Sequence, residues 1–130
     1  KTSRVCFSAP LAKLLEGADR GTVYVRVDYT DKSGRVYHNN YCLDKQKNMN
    51  YPKVDLQTEV RSIEGGYEVT VSTDKFARAV CLSVADNESV YSDNYFDVQP
   101  KSSVQVQVRT RLSAEAFNAS LRLTCLNNEF

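Results

Sequence analysis

One histidine, sixteen carboxylates and four cysteines are the residues of this chain that could do chemistry. A Ser-His-Asp or Cys-His arrangement needs a histidine, and His38 is the only one. It lies inside a predicted strand beside Asn39 and Asn40, and nothing in the sequence sets a nucleophile next to it. Glycoside hydrolysis needs two carboxyl groups facing each other across a sugar. The acids here, among them Glu59, Glu64, Glu68, Asp74, Asp86 and Glu88, fall in turns or on polar strand faces. Asp86, Glu88, Asp93 and Asp97 are close enough in sequence to suggest oxygen ligands for calcium, but their spacing is not that of an EF-hand. Turns in which an Asp or Asn caps the backbone explain the same residues. Cys6, Cys42, Cys81 and Cys125 form no C-x-x-C pair and sit in apolar stretches. They read as buried small hydrophobes rather than zinc ligands, with disulfides as the alternative in an exported protein. No catalytic, cofactor-binding or metal residue is assigned. The remaining option is glycan contact through exposed rings, with Tyr41, Tyr51, Tyr91 and Tyr95 as candidates. Tryptophan, the strongest stacking platform, is absent.

The elements that would carry these residues are strands. Val23, Val25, Val27 and Tyr29 alternate with polar residues, and Asp31-Lys-Ser-Gly34 supplies a turn. Arg35 to Leu43 forms a second strand with apolar residues on both sides. Val54, Leu56, Thr58 and Val60 mark a third strand. Glu64-Gly-Gly66 is a turn, and Tyr67, Val69 and Val71 mark a fourth strand that pairs with the third. Ala77 to Ala85 is apolar on both faces, as expected of a central covered strand. Val90 to Val98, the turn Gln99-Pro-Lys-Ser102 and the run Val104-Gln-Val-Gln-Val-Arg-Thr110 read as strand, turn and strand in one hairpin. Leu121, Leu123 and Cys125 mark an edge strand. Leu11 to Glu16 and Ser113 to Asn118 read as single helical turns.

Seven to nine short strands without long helices between them predict an all-β fold, an immunoglobulin-like antiparallel β-sandwich. At 130 residues the chain is expected to form one such domain over 1–130. The charge balance of 17 basic to 16 acidic residues gives no footprint for nucleic acid or an anionic membrane. No apolar run approaches the roughly 20 residues of a membrane span. A start at Lys1 without an initiator Met suggests an excised piece.

The segment Tyr91-Ser-Asp-Asn-Tyr-Phe-Asp-Val-Gln-Pro100 resembles the closing part of the C-terminal immunoglobulin-like domain of family 2 glycoside hydrolases, above all β-mannosidases. Gly66 to Val84 is similar to the strand–turn–strand before that motif. Tyr51-Pro-Lys-Val-Asp-Leu56 resembles the family's P-K-D-L element, and Val23 to Leu43 its usual opening, so the resemblance spans roughly residues 20 to 110. In that family the two catalytic glutamates lie on a (β/α)₈ barrel upstream. No stretch here matches those motifs, and a barrel alone needs about 250 residues. The resemblance therefore implies a non-catalytic accessory domain of a retaining exo-glycosidase, without cofactor. Its partners would be the other domains of the parent and an oligosaccharide. Export to the periplasm or medium follows from the same resemblance, or the lysosome in a eukaryote. Tyr91, Asp93, Asn94 and Tyr95, within the most specific stretch, are the candidates for glycan or interdomain contact. A free-standing carbohydrate-binding module and a structural or adhesion sandwich are the alternatives.

Overall fold

A computed structural model describes residues 2–129. They divide into two compact units, one ending at Asn50 and one beginning at Tyr51. The expectation is one sandwich over 1–130; the two strands of the first 50 residues form a sheet of their own.

The first unit contains a helical turn, α1 (Leu11–Leu15), and the strands β1 (Tyr24–Thr30) and β2 (Val36–Cys42). These pair in one antiparallel register from Tyr24↔Cys42 to Thr30↔Val36. Asp31 makes the turn between them. Its carboxylate accepts the Ser33 hydroxyl at 2.6 Å and the Ser33 and Arg35 N–H groups at 2.8 and 3.0 Å. Asp44 serves the next turn in the same way, accepting the Asn48 amide at 3.0 Å and the Lys45 N–H at 2.7 Å. These bonds, the Ser33 hydroxyl first for Asp31 and the Asn48 amide first for Asp44, hold both carboxyls below their ordinary 3.8. A folded-state value below the unfolded one contributes stability that is present above the unfolded value and lost as pH falls through the folded one. Both turns are thus expected to loosen only at pH below 3.8, read as carboxyl carbon shifts in an acid titration. Midpoints at or above 3.8 would contradict these turn bonds.

The second unit is the sandwich. Its strands are β3 (Gln57–Ile63), β4 (Gly66–Thr73), β5 (Ala77–Ser83), β6 (Val90–Tyr91), β7 (Phe96–Val98), β8 (Ser102–Arg109) and β9 (Arg122–Thr124). The helices α2 (Ala114–Ser120) and α3 (Leu126–Glu129) flank β9. One sheet has the order β3-β4-β8-β6 and the other β7-β5-β9, with every pairing antiparallel. The immunoglobulin-like sandwich is thus the fold of the second unit. Alternation on β4 and β8 places Val69, Val71, Val106 and Val108 in the core, all at 0% exposure. Val80, Leu82, Val98 and Phe117 join the same cluster. Glu64 and Gly65 turn β3 into β4, with Gly65 at φ 78°. At Gly66 a Cβ would run into the Val108 carbonyl across the β4–β8 pair, so only glycine fits this approach.

Two features depart from the strand pattern expected of the sequence. Val90 to Val98 is not one strand hairpinned to β8. Its first part, β6, pairs with β8 through Val90↔Arg109 and Tyr91↔Val108, while β7 pairs with β5 in the other sheet. Tyr95, at φ 59°, breaks the run and lets the chain change sheets. In β5, Ala79 adopts φ 51° and the register slips between Ala77 and Val80. This bulge inserts one residue, so Ala77, Val80 and Leu82 all turn inward and the strand reads as apolar on both faces.

The cysteines are less uniform than expected. Cys125 is buried, Cys42 and Cys81 are half-buried and Cys6 is exposed, all as thiols. Burial raises the pKa of the Cys125 thiol, as for an inert core cysteine.

Candidate functional site

The segment from Tyr91 to Asp97 joins the two sheets; the side chains of Asn94 and Asp97 serve the backbone of β5, and the Ser92 hydroxyl accepts the Gln107 N–H of β8 at 2.9 Å. Asn94 acts as an extra strand residue. Its side-chain oxygen accepts the Leu82 N–H at 2.7 Å and its amide donates to the Leu82 carbonyl at 2.9 Å. Asp93 accepts the Asn94 N–H at 2.8 Å and is otherwise turned to solvent. Asp97 holds the bulge. Its carboxylate accepts the Ala79 N–H at 2.9 Å and pairs with the Arg78 guanidinium at 2.5 Å.

Asp97→Ala is therefore expected to lower the stability of the sandwich by about 2 kcal/mol, the cost of removing the acceptor of the half-buried Ala79 N–H and the ion pair with Arg78. Asp97→Asn, which keeps one acceptor, should lose less. Urea unfolding of the two variants checks the order; equal losses would mean that the acceptor at Ala79 contributes nothing.

Tyr91 and Tyr95, adjacent in the motif, are treated differently by the fold. The Tyr91 ring packs against the core and its hydroxyl accepts the Val84 N–H at 3.1 Å. Burial pushes its phenol above the ordinary 10.0. Tyr91 also edges a small groove of about 180 Å³ with Gly65 and Arg109. Tyr95 is 72% exposed, and a hydrogen bond with the Cys81 side chain raises its phenol. Of the four candidate contact residues, Asp93 and Tyr95 face solvent, while Tyr91 and Asn94 are bound into the fold. Tyr51 packs against Phe76, with ring centroids 6.3 Å apart. Tyr41 belongs to the first unit. A row of coplanar rings on one sandwich sheet is not formed by these residues.

The catalytic options examined in the sequence are also dispersed. His38 is exposed on β2 opposite Asp28, whose carboxylate is held by Arg26 at 2.9 Å. Asp86 accepts the Ser89 and Glu88 N–H groups at 2.8 and 3.2 Å, and Asp97 is taken by Arg78. Among the described residues, no three His, Cys, Asp or Glu side chains gather as metal ligands. No described helix is long and apolar enough to cross a membrane.

One surface went unmarked in the sequence reading. Direct pairing puts Val25 opposite Tyr41, Val27 opposite Asn39 and Tyr29 opposite Tyr37, all on one face of the β1–β2 sheet. Val27, Tyr29, Tyr37 and Tyr41 are 59%, 62%, 45% and 69% exposed. The rings of Tyr29 and Tyr37 lie 6.2 Å apart, and the Arg35 guanidinium sits 5.1 Å from the Tyr37 ring. Among the described residues of this unit, Gly21 and Asn40 are the buried ones, and the apolar side chains build no core. The signal was present in the alternation of both strands, but only the register shows that the aromatic residues share a face.

Residues 50–129 match the family model Ig_mannosidase, an Ig-fold domain. That span is more than half of the chain, and the chain belongs to this family of mannosidase Ig-fold domains. The match begins at the boundary between the two units, later than the residue 20 or so expected from the sequence, and reaches the C-terminal helix. No curated protein matches the chain.

Proposed function

We propose that this mannosidase Ig-fold chain is a non-catalytic accessory part of a family 2 retaining exo-glycosidase, a β-mannosidase that removes terminal β-D-mannose residues. Its work is to dock on the neighbouring domains of the parent and stabilise the catalytic assembly. The parent would act in the periplasm or medium, or in the lysosome of a eukaryote.

The observation that carries this reading is the uncovered face of the β1–β2 sheet. A two-stranded sheet is marginal alone in water, and large exposed apolar patches mark interaction surfaces. Val27, Tyr29, Tyr37 and Tyr41 form such a patch on strands that bury no core of their own. Asp93 and the exposed ring of Tyr95 offer a second, smaller contact point at the substrate pocket or a domain boundary. Asn94 and Asp97 of the motif are engaged by the backbone of β5, which suits a structural rather than catalytic role.

Amide hydrogen exchange tests docking directly. In the isolated chain, Tyr24 to Cys42 should exchange quickly while the core of β4 and β8 stays protected. In the longer native polypeptide the same hairpin should be protected about as well as the sandwich core. Equal, fast exchange of the hairpin in both would overturn the docking role.

A further inference from the structure

We propose that the end of the four-stranded sheet where β3 and β8 begin and β4 ends is a binding groove for a neutral saccharide. This goes beyond the docking role and does not depend on it.

The groove is built by register. Gln57 pairs with Ser72 and Ser72 with Ser103, so their side chains form one row on the sheet's outer face. Thr73 pairs with Ser102 at the edge of this row, with its own side chain 6% exposed and its hydroxyl accepting the Lys75 N–H at 3.2 Å. Just beyond the strand ends stand Asp55, Asp74 and Lys101. Lys101 takes φ 56°, the left-handed conformation that ends the turn before β8. Together these side chains line a groove of about 620 Å³. That volume lies within the roughly 300–1,000 Å³ of small-molecule sites. The Asp55 carboxylate already accepts the Gln57 amide at 2.7 Å, which orients both groups.

The lining chemistry selects the ligand. Two carboxylates against one ammonium leave a net negative groove, which disfavours phosphates and other polyanions. No aromatic ring or branched aliphatic side chain lines it, so it offers no dedicated apolar pocket to a ligand. For a divalent cation, no cluster of three acids, histidines or cysteines gathers among the described residues. What fits is a neutral molecule dense in hydroxyls. Vicinal hydroxyls can donate to Asp55 and Asp74 in charge-assisted hydrogen bonds, about twice as strong as neutral ones. Lys101 donates to ring or hydroxyl oxygens, and the serine hydroxyls serve either sense. Without a stacking ring the affinity should be weak, with Kd about 1 mM, or some −4 kcal/mol.

The test is an NMR titration of the chain with β-1,4-mannobiose and, separately, with inorganic phosphate. Saturable amide shifts confined to 55–57, 72–74 and 101–103 are expected with the disaccharide and not with phosphate. Asp55→Asn together with Asp74→Asn, both at exposed positions, should weaken binding about tenfold while the spectrum stays folded. Absence of saturable shifts, shifts centred elsewhere, an equal response to phosphate, or unchanged affinity in the double variant would each overturn the assignment. None of these outcomes bears on hairpin protection, so failure here leaves the docking test intact.

Discussion

Phe117→Ala is expected to cost the sandwich about 4 kcal/mol, in the range of roughly 3–5 kcal/mol for emptying a buried Phe site. Phe117 is fully buried, on the short helix α2, and its ring stacks on Tyr67 with centroids 4.2 Å apart and planes 25° from parallel. Tyr67 cannot follow the missing ring into the cavity, because its hydroxyl donates to the Leu112 carbonyl at 2.9 Å. The helix itself is set by Ser113, whose hydroxyl accepts the Ala116 N–H at 3.2 Å. Urea unfolding followed by circular dichroism is the measurement, with Phe117→Leu as a milder control. A loss below about 1 kcal/mol for Phe117→Ala would mean that α2 is not part of the core.

Asn127→Ala should be comparably damaging, at about 3 kcal/mol, although it removes no apolar contact. This 3%-exposed amide joins three stretches of backbone. Its oxygen accepts the Arg78 N–H at 2.7 Å, and its nitrogen donates to the Pro52 and Phe76 carbonyls, each at 2.8 Å. Alanine would leave a donor and two acceptors without this partner. Asn127→Asp should not rescue, since a carboxylate would face the two carbonyl oxygens that the amide nitrogen now serves. Asn128 adds a second clamp, accepting the Val54 N–H at 3.2 Å and donating to the Val54 carbonyl at 2.9 Å. Thermal unfolding of the two Asn127 variants reads the effect. A shift of only a degree or two for Asn127→Ala would show that water replaces the amide.

These two side chains also show what could be read without coordinates. Phe117 lies in a segment readable only as a helical turn, too short for a helical period to reveal which residue points inward. Asn127 and Asn128 carry no periodic signal, because an amide that mimics a strand residue looks like any polar tail. By contrast, the β3–β4 hairpin was legible from its alternation and its glycine turn, and so were the inner faces of β4 and β8. Alternation misled where the backbone leaves the regular strand. The bulge at Ala79 made β5 look covered on both faces, and the left-handed Tyr95 turned one apparent strand into two strands of different sheets. The motif Ser92-Asp-Asn-Tyr-Phe-Asp97 pointed to the right family. Two of its residues, Asn94 and Asp97, hold the backbone of β5, which is a structural task. The limits of the domain were not legible, since the strands of both units share the same period-two pattern. The groove at Asp55, Asp74 and Lys101 was equally hidden, assembled from three strand ends far apart in sequence.

The proposed function makes this Ig-fold chain part of a larger β-mannosidase, with no activity of its own. The most direct test is to capture the native polypeptide from source cells with an antibody to this chain, size it, and assay it on an aryl β-mannoside beside the isolated chain. The account predicts a polypeptide several times larger than 14.7 kDa that hydrolyses the mannoside, and an isolated chain that does not. A native polypeptide of about 14.7 kDa, or a larger one without β-mannosidase activity, would contradict it.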